Sequence, residues 1–158
     1  MPTPLRCVGI AQLSVRPLMR RDFDIKMGIY LAQSPHELDL HNCFDFLGFD
    51  YSVEHRTLLL RWRRSPGEWV APGTPASVTV EFREVSEFRF QPRDSAMPFT
   101  EDDCVSSFGY WTDEDWADGV IIADPSQTPD PKWLTAVDFM SGAVIAVQAA
   151  SAHARTEA

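Results

Sequence analysis

The chain is poor in cysteine, histidine and positive charge, and it contains no long apolar run. Cys7, Cys43 and Cys104 are its three cysteines in 158 residues. An odd number without paired spacing is not a disulfide framework. It fits reduced thiols, so the chain is read as cytoplasmic. No apolar stretch reaches the roughly 18 residues that a transmembrane helix needs. The N-terminus has neither a continuous apolar stretch nor a small-residue cleavage site, which argues against a secretory signal. A Gly-rich phosphate loop, a Gly-x-Ser-x-Gly elbow and a His-Glu-x-x-His helix are all absent. The sequence therefore names no reaction, and it implies no cofactor and no metal.

Positive charge is scarce overall and unevenly placed. Fourteen Lys and Arg face 23 Asp and Glu, for a formal net charge of −9. Residues 1–27 carry +3 and the remainder −12. Such a field repels phosphate backbones and anionic lipid surfaces, so neither nucleic acid nor membrane is expected as a partner. A basic protein partner is compatible with it.

What the chain does have is enough apolar material for one domain. Hydrophobic residues make up 44%, including 10 Phe, 5 Trp and 3 Tyr. A domain of this size buries roughly 70% of its unfolded surface. It can fold without disulfides or metals. The pattern divides the chain into a basic N-terminal extension or edge segment over 1–26, a β-rich domain over 27–150 and a small, polar, frayed tail over 151–158. Residues 8–15 are the candidate edge strand of the first segment. The alternative is that the natural start is Met27.

The fold class read from the periodicity is α+β, mainly antiparallel β in a meander or sandwich-like sheet, with one short helix near residues 35–41. The helix rests on Ser34-Pro35-His36-Glu37, with Ser34 as N-cap, Pro35 at the first helical position and Glu37 completing a capping box. Residues 43–51 and 57–64 read as a hairpin in which Leu58, Leu60 and Trp62 share one face. Residues 65–75, with three Pro and two Gly, form a loop. Val78, Val80 and Phe82 then alternate with polar residues. Val85 breaks the phase, which calls for a bulge near Glu84 or for two separate strands. Residues 91–131 are loop-rich and carry −9, with Arg93 as their one basic residue. Short strands are expected at 105–111 and 120–123. Residues 133–140 and 143–149 form a final hairpin around Ser141-Gly142.

Three constellations bear on chemistry. His36, His41 and Cys43 have ligand-type side chains, but their spacing fits no common zinc module. A Cys43–His41 pair would share a strand face, yet it has no third group or oxyanion device. In the acidic stretch, Asp113, Asp115, Asp118 and Asp124 resemble a calcium loop. That motif fails, because Ala117 and Asp118 occupy the fifth and sixth positions and Asp124 replaces the terminal Glu. Trp111 and Trp116 flank Asp113, Glu114, Asp115 and Asp118, as aromatic anchors flank charge in protein interfaces. Finally, Glu81, Glu84 and Glu87 alternate with arginines and are read as exposed ion pairs rather than acid–base catalysts.

Leu40-His41-Asn42-Cys43, Leu58-Leu59-Leu60-Arg61-Trp62 and Val78-Thr79-Val80-Glu81-Phe82-Arg83-Glu84-Val85 together resemble small bacterial β-rich domains of unknown function. Among these are immunity-protein-like domains of polymorphic toxin systems. The resemblance covers about a third of the chain and lies in framework positions, so it transfers no site residues. It implies an immunity-like, non-enzymatic protein that binds a basic partner. The leading reading is thus recognition through the acidic, aromatic-flanked surface Trp111, Asp113, Glu114, Asp115, Trp116 and Asp118. A small enzyme or ligand-binding domain with an aromatic-lined pocket is one alternative. A structural or oligomeric subunit is the other. The leading reading predicts capture of a basic protein, such as a nuclease, that weakens as salt rises and on reversing charge at Asp113, Glu114 and Asp115. Capture indifferent to both changes would reject the acidic segment as the binding surface.

Overall fold

The structure, a computed structural model, describes residues 16–112, 119–122, 126 and 128–158. Its strands are β1 (Arg20–Arg21), β2 (Asp24–Lys26), β3 (Tyr30–Gln33), β4 (His36–Asp39), β5 (Phe44–Ser52), β6 (Thr57–Arg64), β7 (Ser77–Gln91), β8 (Val105–Trp111), β9 (Leu134–Phe139) and β10 (Val144–Glu157). One 3-10 turn, Phe99–Glu101, precedes β8. The main sheet has the order β5-β6-β7-β10-β9-β8 and curls into a half-barrel. All its pairings are antiparallel except that of the two-residue β1, which adds to β10 in parallel. A second, three-stranded sheet has the order β2-β3-β4.

The longest pairing joins β7 and β10 and runs from Gln91↔Val144 to Ser77↔Glu157. Strands this long cannot stay flat. The bend comes at Glu84, whose φ is +54°. The register with β10 shifts two residues later, at Ser86, because Gln148 pairs with Glu87 while Ala149 pairs with Val85. The phase break at Val85 is therefore a bulge within one continuous strand. Val78, Val80 and Phe82 before it are fully buried, as are Leu58, Leu60 and Trp62 across from them on β6.

Strand β10 is buried on both faces. Ile145 and Val147 join the main core, whereas Val144 and Ala146 join a second cluster with Trp111, Leu134 and Ala136. Val120 packs on that outer cluster, and Ile121 pairs with Tyr110. The close approach explains Gly109: a Cβ there would sit 2.3 Å from the Ile121 carbonyl oxygen. Burial on both sides is why residues 143–147 are apolar without alternation.

Three expectations differ from the structure. Residues 35–41 are not helical: β3 and β4 form a hairpin turning at Ser34-Pro35, and no α-helix occurs among the described residues. The helix-start tetrapeptide is followed by Leu38 and Leu40, two residues apart and both buried in the main core with Leu31. Period-2 burial outweighed the capping signal. Residues 151–158 do not fray, because Ser151–Glu157 form the end of β10 and pair with Ser77–Arg83. Ala152 and Ala154 there are buried in the main core. The proposed boundary at 26/27 also falls inside a hairpin, since Asp24–Lys26 pairs with Tyr30–Ala32. The candidate edge strand at 8–15 lies outside the described residues.

The edge of β10 beyond β1 is capped by side chains. Asp22 accepts the Ala154 N–H at 2.9 Å, and Gln33 Nε2 donates to the Ala154 carbonyl at 3.1 Å. Deleting residues 151–158 is therefore expected to abolish cooperative denaturant unfolding. A frayed tail would leave the transition unchanged, and Glu157→Ala alone shifts stability by no more than about 0.5 kcal/mol.

Candidate ligand-binding site

The half-barrel leaves a cavity of about 620 Å³ at one end of its inner face. Four parts of the chain build it. On β5 the register shifts between Phe46 and Gly48, and Gly48 has φ +136°, a conformation that suits glycine. This bulge leaves Phe46 against Trp62 and Phe139, at centroid distances of 5.1 and 4.6 Å, while Leu47 and Phe49 also line the cavity. The end of β7 supplies Phe90, which lies 5.3 Å from Phe49, followed by Pro92 and Arg93. The β9–β10 turn supplies Phe139, Ser141, Ala143 and Ile145. The fourth wall is the segment carrying Phe99, Asp102 and Asp103.

That fourth wall is tied down by the backbone. Phe46 N–H donates to the Asp103 carbonyl at 2.8 Å, Ser141 N–H to Glu101 at 3.2 Å and Met140 N–H to Cys104 at 2.9 Å. The first of these bonds joins β5 to the segment before β8, across the gap that a closed barrel would fill with a paired strand, and the other two hold that segment to the β9–β10 turn. The cavity is thus a consequence of incomplete closure. Its rim keeps large apolar groups in solvent, with Phe99 80%, Leu47 55% and Phe90 50% exposed. Clustered exposed aromatics around a concavity mark a binding surface more than isolated ones do.

Three charged side chains line the cavity. Arg93 donates to Asp102 at 2.8 Å and to the Met97 carbonyl at 2.5 Å, and its guanidinium sits 4.4 Å from the Phe99 ring centroid. The Arg93 and Ser141 hydrogen bonds hold the Asp102 carboxyl below the ordinary carboxylate range. Asp103 goes the other way. Burial pushes its pKa up, the nearby Asp45 and Glu101 carboxylates add to that, and a backbone hydrogen bond of Asp103 itself and the Arg63 guanidinium only partly oppose them. A carboxylate kept in unfavourable surroundings inside a concavity is a functional-site signal.

The residues singled out from sequence fall elsewhere. Trp111 is 2% exposed, so it serves the outer apolar cluster and is not a surface anchor. Asp113, Glu114, Asp115, Trp116 and Asp118 lie outside the described residues. His41 is brought to Cys104 rather than paired with Cys43: Cys104 Sγ lies 3.7 Å from His41 Nδ1. Nδ1 also lies 2.5 Å from the Val105 carbonyl, so it carries the proton and cannot accept one from the thiol. Burial first, then Glu101, Asp103 and Asp45, push the Cys104 thiol up, opposite to what a nucleophile requires. Asp39 accepts the backbone N–H groups of His41 and Asn42, which turns the chain into β5. Glu81 pairs with Arg83 and Arg155, and Glu87 with Arg16 and Arg89, as ion pairs.

The sequence carried partial signals for the cavity. Phe46 and Phe49 break a strict alternation, which fits a bulge. Arg93 is the one cation in an acidic stretch, and it neutralises Asp102. Nothing local indicated that the ends of β5, β7 and β9 meet. Compared with protein-family models, curated proteins and solved structures, the chain matches none.

The sign of the Asp103 shift yields a stability prediction. Its folded pKa lies above the unfolded value of about 3.9. Ionised Asp103 therefore costs stability above its folded pKa, and that cost fades as pH falls to the unfolded value. Asp103→Asn is expected to stabilise the ligand-free protein at pH of about 7 and to lose that advantage by pH of about 3.5. Denaturant unfolding of both proteins across this range checks it.

Proposed function

We propose that this chain is a non-enzymatic binding protein whose ligand is a small, largely apolar molecule seated in the half-barrel cavity. The observation that carries this reading is a concavity of about 620 Å³ walled by Phe46, Phe49, Phe90, Phe99 and Phe139 with a small polar set at one side. Ligand sites commonly span about 300–1,000 Å³ and combine apolar walls with a few placed polar groups. His41 and Cys104 are not among the residues that line the cavity, His41 Nδ1 faces the Val105 carbonyl, and burial pushes the Cys104 thiol up, away from nucleophilic character. This favours binding over catalysis.

An immunity-like role, in which a basic protein docks on the acidic segment, is the second reading. It rests on residues outside the described ones, and its one described residue, Trp111, is buried. The cavity is therefore preferred.

The test uses N-phenylnaphthylamine, a neutral probe that brightens in apolar surroundings. Wild-type protein is expected to bind it saturably at one site. Ala143→Trp, which places an indole in the cavity, is expected to weaken binding by more than about tenfold. Circular dichroism and cooperative unfolding establish that the variant is folded. Absence of saturable binding, or undiminished affinity in the folded variant, would overturn the reading.

A further inference from the structure

The charges that line the cavity do not balance. Arg93 is committed to Asp102 and to the Met97 carbonyl, and its guanidinium lies against Phe99. Asp102 is compensated twice, by Arg93 and by Ser141. Among the described residues Asp103 has no side-chain ion pair, and a backbone hydrogen bond within its own residue favours its ionised form. The cation that acts on it, Arg63, is 61% exposed at the side chain and lies 3.5 Å from Asp45, which it also serves. The other charges acting on Asp103, those of Asp45 and Glu101, have its own sign. The uncompensated charge on the wall is therefore negative.

The remaining lining points the same way. Phe46, Phe49, Phe90, Phe99 and Phe139 bring five aromatic rings to one cavity. The face of an aromatic ring is the negative end of its quadrupole, so it attracts cations. The protein already uses this attraction at the cavity, with the Arg93 guanidinium over Phe99 at 4.4 Å, and elsewhere, with Arg21 over Phe23 and Tyr110. An anion entering the cavity would meet Asp103 and a guanidinium already engaged elsewhere. A neutral molecule would gain only apolar burial. An organic cation gains apolar burial, ring faces and the unmatched carboxylate together.

We infer that the cavity selects a free organic cation, an alkyl- or aryl-ammonium, with its apolar part among the phenylalanines and its charge near Asp103. The inference rests on the cavity being a ligand site, and it adds the sign and class of the ligand. It also explains why a carboxylate is kept where it costs stability: the carboxylate is unmatched only while the cavity holds no cation.

The experiment is displacement of N-phenylnaphthylamine from the full chain by phenylbutylammonium, phenylbutanol and phenylbutyrate, which share one apolar body and differ in charge. Phenylbutylammonium is expected to displace the probe at about tenfold lower concentration than phenylbutanol, with phenylbutyrate weakest. Asp103→Asn is expected to bring the ammonium to within about twofold of the alcohol and to leave the alcohol unchanged. Equal displacement by all three, preference for the anion, or equal weakening of all three by Asp103→Asn would overturn the inference while leaving the ligand site in place. Failure of the probe to bind removes the ligand-site reading instead. Calorimetric titration with phenylbutylammonium alone then decides the cation: no binding overturns it, and tight binding lost in Asp103→Asn upholds it.

Discussion

The architecture depends on the β7–β10 ladder. These two strands pair along nearly their whole length, and every other strand of the main sheet attaches to one of them directly or through one intervening strand. On one side β6 adds to β7 and β5 to β6. On the other, β9 and then β8 follow the first part of β10, and β1 takes part of its remaining edge. The bend at Glu84 turns a flat ribbon into a curled one. It also carries the end of β7 past the β5–β6 hairpin, whose turn meets β7 through the Val85 N–H and the Arg56 carbonyl at 2.8 Å. Beyond that point the two halves of the sheet share side-chain packing instead of a backbone ladder. Phe49 and Tyr51 of β5 lie against Phe88 at 5.6 and 5.2 Å.

A sheet that curls without closing must manage two problems, a free edge and an incompletely filled interior. The free edge of β10 is met by the Asp22 carboxylate and the Gln33 amide, which satisfy single backbone groups without a full strand. The small β2-β3-β4 sheet contributes Leu31 and Leu38 to the main core, with Leu40 just beyond β4. At the opposite side the 99–104 segment is held by a backbone bond to β5 and by two to the β9–β10 turn. The space it leaves is the cavity. Its proposed ligand chemistry follows from what closure left unmatched there: ring faces and one carboxylate.

Strand content was legible because burial on one face writes itself as period 2. The alternation at Val78, Val80 and Phe82 and at Leu58, Leu60 and Trp62 identified the inward residues of β6 and β7 correctly, and Val85 marked the bulge. The final hairpin was legible from Ser141-Gly142. The short helix at 35–41 misled because a capping signal is local, while Leu38 and Leu40 answer to a core assembled from distant strands. The frayed tail misled for a related reason. Ala152 and Ala154 look unremarkable in sequence, but both are buried in the main core.

By itself the sequence determined an acidic, antiparallel, β-rich chain, the inward faces of its central strands and a break of phase at Val85. These are properties of neighbouring residues, and strand periodicity and charge can be read one segment at a time. Tertiary structure alone decided that Phe46, Phe90, Phe99 and Phe139 share a cavity and that Trp111 is buried. It also decided that Arg93 is matched by Asp102 while Asp103 is not. Those outcomes depend on which strand ends the curl of the sheet brings together. That is set by the summed twist and register of many pairings, which no single segment records.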